Sequence, residues 1–137
     1  MTAVTLPAVT PFTAGNPLLL ALAGANFAVG LAAFGVVGTL APLAGSLGIS
    51  PATAGWLLTA YALVYAIGSP LLVAATGATD RRRLLLVGLV VIALGNTLAA
   101  VAPDYATILA GRVLTAFGAA VVTPVAAAIA VAGSAPE

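Results

Sequence analysis

The sequence predicts an all-α integral membrane protein with four transmembrane helices, and three observations predict it. Of 137 residues, 63% are hydrophobic and 5% charged, against about 25% charged in a soluble domain, whose surface must be wetted. The apolar residues fall into runs of about 20 or more, the length that crosses a hydrocarbon core. Four of the seven charged residues, Asp80, Arg81, Arg82 and Arg83, stand together between two of those runs.

Residues 1–17 form a tail in which Pro7, Pro11 and Pro17 lie among threonines, a composition that predicts irregular backbone. The tail holds no lysine or arginine, so it lacks the basic region of a signal peptide. Residues 18–137 form the transmembrane domain. The first helix is expected over about 18–41, with Pro17 in its first turn, where a missing N–H is no loss. It carries no charge, and Gly24, Gly30, Gly35 and Gly38 thin its surface, which lets neighbouring backbones approach in lipid. Asn26 has two readings, a hydrogen bond between helices or a polar contact lining a cavity.

Pro42 to Ser50 reads as a connection, and Ser50-Pro51 as an N-cap followed by proline at the first helical position. The second helix is expected over 51–76. Trp56 lies near the depth that suits an amphipathic ring, Tyr61 and Tyr65 share one face, and Gly68-Ser69-Pro70 predicts a kink. The third helix is expected over 83–102, with Gly88 and Gly95 on one face. Pro103-Asp104 turns the chain, Asp104 is placed to cap the next helix, and the fourth helix follows over 105–131. Gly111 and Gly118 lie on one face of it, Pro124 bends it, and Gly118 and Pro124 are assigned to helix packing. Gly133 to Pro136 stop it. Arginines on short loops favour the cytoplasm, so the loop at 81–83 faces inside and both termini face inside with it.

There is no histidine and no cysteine. That removes the usual zinc sites, thiol nucleophiles and serine–histidine triads, and no metal site or nucleophile–base set is visible, so an enzyme is not expected. A net charge of +1 implies no nucleic-acid partner.

Arg112 is the most informative single residue. It lies about 10 Å along the axis from Tyr105 at 1.5 Å per residue, where a charge must snorkel, pair or face a water-filled cavity. Either snorkelling to the headgroups or a place lining or coupling a transport cavity accounts for it. Thr115 and Asn26 are the other candidate cavity-lining polar residues. The loop also has two readings. Its arginines set topology, or Asp80 caps the third helix and pairs across the bundle as a latch with Arg81, Arg82 and Arg83.

Three stretches resemble the major facilitator superfamily, most closely its drug and sugar efflux branch of arabinose-efflux-type and chloramphenicol-efflux-type permeases. Leu47-Gly48-Ile49-Ser50 through Trp56, Tyr61 and Gly68-Ser69-Pro70 resembles the family's entry into its second helix. Asp80-Arg81-Arg82-Arg83 resembles its basic loop of pattern G-x-x-x-D-R-x-G-R-R. Aligned without a gap, the motif aspartate falls on Gly77. Arg112 and Gly118 match the fourth-helix pattern R-x-x-Q-G-x-G, with Thr115 in the glutamine place and Ala116 in that of the first glycine. The resemblance covers nearly the whole chain from Leu18 onward.

The resemblance implies the first part of a six-helix N-terminal half of a twelve-helix transporter, present as a truncated fragment. It implies proton-coupled efflux of a small molecule, a drug or a sugar, by rocking of two halves about a central site. Arg112 is then implicated in coupling. No cofactor is implied beyond the proton gradient. The expected partners are a small-molecule substrate, the lipid bilayer and the remaining helices, in the inner (plasma) membrane. The alternative is a self-contained four-helix protein that oligomerises, as small multidrug transporters do, or a non-transporting subunit. Small multidrug transporters rely on a membrane-embedded glutamate in the first helix, and here that helix has none.

Overall fold

Four helical spans, Leu19–Leu47, Pro51–Ala75, Arg81–Ala100 and Tyr105–Val131, are each long and apolar enough to cross a membrane. They make up a computed structural model that describes residues 17–77 and 79–132. The tail expected at the N-terminus (save Pro17) and the stop expected at Gly133 to Pro136 lie outside the described residues.

The first span is not one helix. It runs as α1 (Pro17–Phe34), a 3₁₀ turn (Val37–Thr39) and α2 (Leu40–Leu47), where an unbroken helix over 18–41 and a connection from Pro42 were expected. Pro42 is the physical reason for the break. Inside a continuous helix it could not donate to the Gly38 carbonyl, and its ring would crowd that carbonyl. Restarting at Leu40 places Pro42 in the first turn of α2, where proline costs little. Gly48 then closes α2 in the left-handed region at φ 63°, a conformation that favours glycine.

α3 (Pro51–Ala75) opens with Ser50 as N-cap, its side chain accepting from the Thr53 N–H at 3.0 Å, and with Pro51 in the first turn. α4 (Arg81–Ala100) is capped by Asp80, which accepts from the Arg82 N–H at 2.8 Å. α5 (Tyr105–Ala132) starts where the Asp104 carboxylate accepts from the Thr107 N–H at 2.8 Å. The Tyr105 hydroxyl donates to the Thr53 carbonyl at 2.7 Å and ties the start of α5 to the first turn of α3.

α5 is the central helix, packed against α4, α3 and α1. Its sequence explains the position. Ala116, Ala119, Ala120 and Ala126 are all buried, and small residues spread around a helix allow close approach from several sides. Leu22, Ala25 and Val29 of α1 are buried and spaced along one helical face, and Ala25 and Val29 join Ala116 and Ala119 of α5 in the core. The outer faces of α1, α3 and α4 carry Phe27, Ile67, Leu71 and Val90, all exposed, as lipid-facing positions require.

The tightest seam joins α4 to α5. A Cβ built on Gly118 would lie 2.6 Å from the Gly88 carbonyl oxygen, and one on Gly95 would lie 2.7 Å from that of Gly111. The two glycine pairs therefore meet backbone to backbone, in antiparallel order, with Ile92 buried between them. Cα–H···O contacts at such crossings contribute about 0.5–1 kcal/mol each.

Candidate functional site

α1 ends at Phe34, partway along the first span, and that end needs donors. The last carbonyls of a helix have no partner within it. Leu31 accepts from the Gly35 N–H at 2.8 Å, and those of Ala32 and Ala33 are among the rest. Arg112 of α5 supplies both donors. Its Nη1 donates to the Ala32 carbonyl and its Nη2 to the Ala33 carbonyl, the latter at 2.8 Å. The guanidinium carbon also lies 4.5 Å from the centroid of the Tyr61 ring on α3. One side chain thus joins three helices.

Arg112 is 4% exposed, so it does not snorkel. Placing an arginine at the centre of a spanning helix costs about 2.5–3.5 kcal/mol on insertion scales. Hydrogen bonds to a charged group return about 1.5–3 kcal/mol each, and a desolvated cation–π contact returns about 2 kcal/mol. Together these gains exceed that cost, so the burial needs no carboxylate. The negative end of the α1 dipole adds to the attraction.

Beside this clamp lies a cleft of about 560 Å³, bounded by α1, α3 and α5. Asn26 and Phe34 line it from α1, Tyr61, Ala62 and Tyr65 from α3, and Thr123 from α5. The Tyr61 and Tyr65 rings are parallel within 6°, with centroids 6.4 Å apart. The hydroxyls of Tyr61 and Thr123 are buried and have no hydrogen-bond partner among the described residues. Arg112 stands behind Tyr61, and only its Nε is without a partner there.

Of the residues singled out from sequence, Asn26 is on the cleft, where its amide also donates to the Leu22 carbonyl at 3.3 Å. Thr115, expected on the cavity, lies elsewhere. It is fully buried, its hydroxyl donates to the Gly111 carbonyl at 2.8 Å, and it faces Gly95 in the α4–α5 seam. The reason is helical phase. Gly111, Thr115, Gly118 and Val122 form the stripe that meets α4, whereas Arg112 and Thr123 point toward α1 and α3. Thr123 is the polar cleft residue that the sequence reading passed over, although a lone hydroxyl beside Pro124 in an apolar run was a signal. Tyr61 and Tyr65 were read as sharing a face, without the cleft that this face lines.

Gly118 packs on Gly88 and Ile92. Pro124 lies inside α5 and borders a smaller cleft of about 140 Å³ with Thr76, Thr79 and Arg81. There Arg81 reaches from the start of α4 to the Ala128 carbonyl, with Nη1 donating at 3.3 Å. Asp80, Arg82 and Arg83 are exposed. The contact across the bundle is made by Arg81 to backbone, while Asp80 holds the helix start.

Comparison with known proteins agrees with this architecture. Residues 22–137 match the major facilitator superfamily. The chain is 42% identical over 109 residues to the MFS-type transporter YbcL of Bacillus subtilis, which covers 80% of this chain and 28% of that protein. It is 38% identical over 100 residues to the inner membrane transport protein YdhP of Escherichia coli, 73% of this chain and 26% of that one. It is 42% identical over 80 residues to a chloramphenicol efflux pump of Mycobacterium tuberculosis, 58% of this chain and 19% of that one. The chain thus spans about a quarter of the length of the first two relatives. No solved structure matches. With four apolar spans and transporters as its relatives, this is a multi-pass membrane protein, not an enzyme, and it belongs to the major facilitator superfamily.

Proposed function

We propose that the protein takes part in exporting a small molecule across the inner membrane by alternating access, with the proton gradient as driving force and the cleft among α1, α3 and α5 as its share of the substrate path. The observation that carries this reading is the cleft itself. Residues of three helices, Asn26, Tyr61, Tyr65 and Thr123 among them, line one cavity of about 560 Å³, a volume in the range that takes small molecules. Similarity to an efflux pump supports export as the direction. The rest of the path and the opposing half come from helices beyond these four.

Arg112 has a positional role in coupling. A guanidinium stays protonated at physiological pH, so it does not itself release the proton. It holds the end of α1 against α5 and α3, and a change of its partners would free the break at Val37–Thr39 to bend. Asp80 and Arg81 form the inner latch, the first by capping α4 and the second by its bond to Ala128. The arginines in the first turn of α4, where the sequence led us to expect a loop, face the cytoplasm, and both termini lie on the same side.

The test uses the absence of cysteine in the chain. Ala62→Cys sits on the cleft, and Leu63→Cys, exposed on α3 and absent from the cleft lining, is its control. A membrane-impermeant maleimide is expected to label position 62 in native vesicles, with labelling altered by collapse of the proton gradient, and to leave position 63 unlabelled. No labelling of position 62 from either side of the membrane would remove the cleft from the path.

A further inference from the structure

Resting on the alternating-access reading, we propose that Pro70 of α3 and Pro124 of α5 form one paired hinge. The ends of both helices nearest the arginines bend together across it, and the bond from Arg81 to the Ala128 carbonyl locks it.

Three observations carry the hinge. The first is register. α3 and α5 run side by side in the same direction, with Tyr105 bonded to Thr53, Arg112 over the Tyr61 ring, and Ala120 facing Gly68. On that register Pro70 falls beside Val122, and Pro124 beside Leu72. The two prolines therefore lie within about 3 Å of each other along the bundle, at 1.5 Å per residue.

The second is backbone chemistry. Each proline lies inside its helix and has no N–H to give. The Ala66 and Ala120 carbonyls so lack the donor four residues on, and these are the points where a helix bends. Thr123 adds to this in α5. Its buried hydroxyl has no partner among the described residues, and a threonine hydroxyl that turns to a carbonyl one turn back bends a helix further.

The third is the difference in packing on the two sides of the prolines. Away from the arginines, the glycine seam and the Arg112 clamp fix α5 to α4, α1 and α3. Toward the arginines, Val73, Thr76, Arg81, Leu84 and Val125 border a cleft of about 140 Å³. There Arg81 reaches Ala128 at 3.3 Å, slightly beyond the usual N–H···O range. α4 itself contains no proline, so it offers no matching hinge, and the ends of α3 and α5 move against it once that bond opens.

The experiment is pulsed electron paramagnetic resonance on the full-length protein in lipid nanodiscs, with spin labels on cysteine pairs in a background free of other cysteines. Leu86→Cys with Val131→Cys spans the hinge between α4 and the end of α5. Leu94→Cys with Phe117→Cys lies wholly before it, and Ala75→Cys with Val131→Cys joins the two hinged ends. All of these positions are exposed. A bend of about 20° acting from Pro124 to Val131 moves Val131 by about 4 Å. Arg81→Gln, at an exposed position, is expected to shift the first distance by that amount and to leave the other two unchanged. Adding Pro70→Ala and Pro124→Ala should cancel the shift. A shift that survives both proline replacements overturns the hinge. A change between positions 75 and 131 as large as that between 86 and 131 overturns the pairing. No shift in Arg81→Gln overturns the lock and the hinge with it. In that case, labelling of position 62 that still answers to the proton gradient keeps the alternating-access reading, and loss of that labelling removes it as well.

Discussion

Arg112 Nη2 donates to the Ala33 carbonyl at 2.8 Å, so a side chain of the last span caps a helix that ends within the first. The contact makes the break in the first span a supported structure. It also leads to a direct test. Arg112→Lys keeps the charge but replaces a planar fork by a point donor, and Arg112→Ala removes both. Both variants are expected to insert normally. Amide exchange at Phe34 to Leu40 should rise in both, more in Arg112→Ala, with thermal stability lower by about 3–5 kcal/mol for the alanine variant, the cost of breaking a buried charged network. Export should be lost in Arg112→Ala. Unchanged exchange at these amides would show that the clamp does not hold α1.

The glycine seam makes a quantitative contrast possible. At Gly111 a Cβ would meet the Gly95 carbonyl oxygen at 2.7 Å and the Ala99 nitrogen at 2.9 Å, while at Gly24 it would meet nothing within 4 Å. Gly111→Ala should force α4 and α5 apart and destabilise by about 1–3 kcal/mol, the usual cost of overpacking. Gly24→Ala should be neutral or slightly stabilising, since alanine is the better helix former. Thermal unfolding in detergent separates the two, and equal melting temperatures would mean that the seam yields without cost.

Asp104 gives the pH dependence. Its carboxyl is held below the ordinary value, first by the backbone N–H of Thr107 and then by the Thr107 hydroxyl. A carboxylate with a lowered value stabilises the fold above its unfolded value, and that stabilisation fades as pH falls through the folded value. The first turn of α5 should therefore stay ordered through mildly acidic pH and fray only in strong acid. Carboxyl carbon NMR of Asp104 checks this. A midpoint at or above the ordinary aspartate value, or fraying already at mild acidity, would contradict the cap.

Topology is testable through the three arginines that open α4. With Arg81, Arg82 and Arg83 replaced together by glutamine, a cysteine at Thr79 is expected to lose its uniform cytoplasmic labelling, because basic residues on short loops set orientation. Retained cytoplasmic labelling would place the orienting signal elsewhere in the chain.

Much of the candidate site was legible in the sequence as single residues and hidden as a set. Arg112 stood out because a charge inside an apolar run demands a reason. Its partners did not, because they are the backbone carbonyls of Ala32 and Ala33, which any residue type carries. Thr115 and Thr123 look alike in sequence, two threonines in an alanine-rich helix. One turns to the glycines of α4 and the other to the tyrosines of α3, and no local pattern says which neighbour a face will meet.

The sequence by itself determined that the chain has four spans long and apolar enough to cross a bilayer, roughly where the turns between α3, α4 and α5 fall, and that Ser50 and Asp104 cap α3 and α5, while α4 starts at Arg81 and not at Arg83 as expected. These depend on local chemistry: apolar length, proline and glycine punctuation, and side chains that bond to nearby N–H groups. Tertiary structure alone decided that Gly88 meets Gly118 and Gly95 meets Gly111, that α1 stops at Phe34 under an arginine from another span, and that Tyr61, Tyr65 and Thr123 share a cleft. Those outcomes depend on which helix faces lie against each other, and in lipid that choice is made by close packing between distant segments, since exclusion from water favours no apolar face over another.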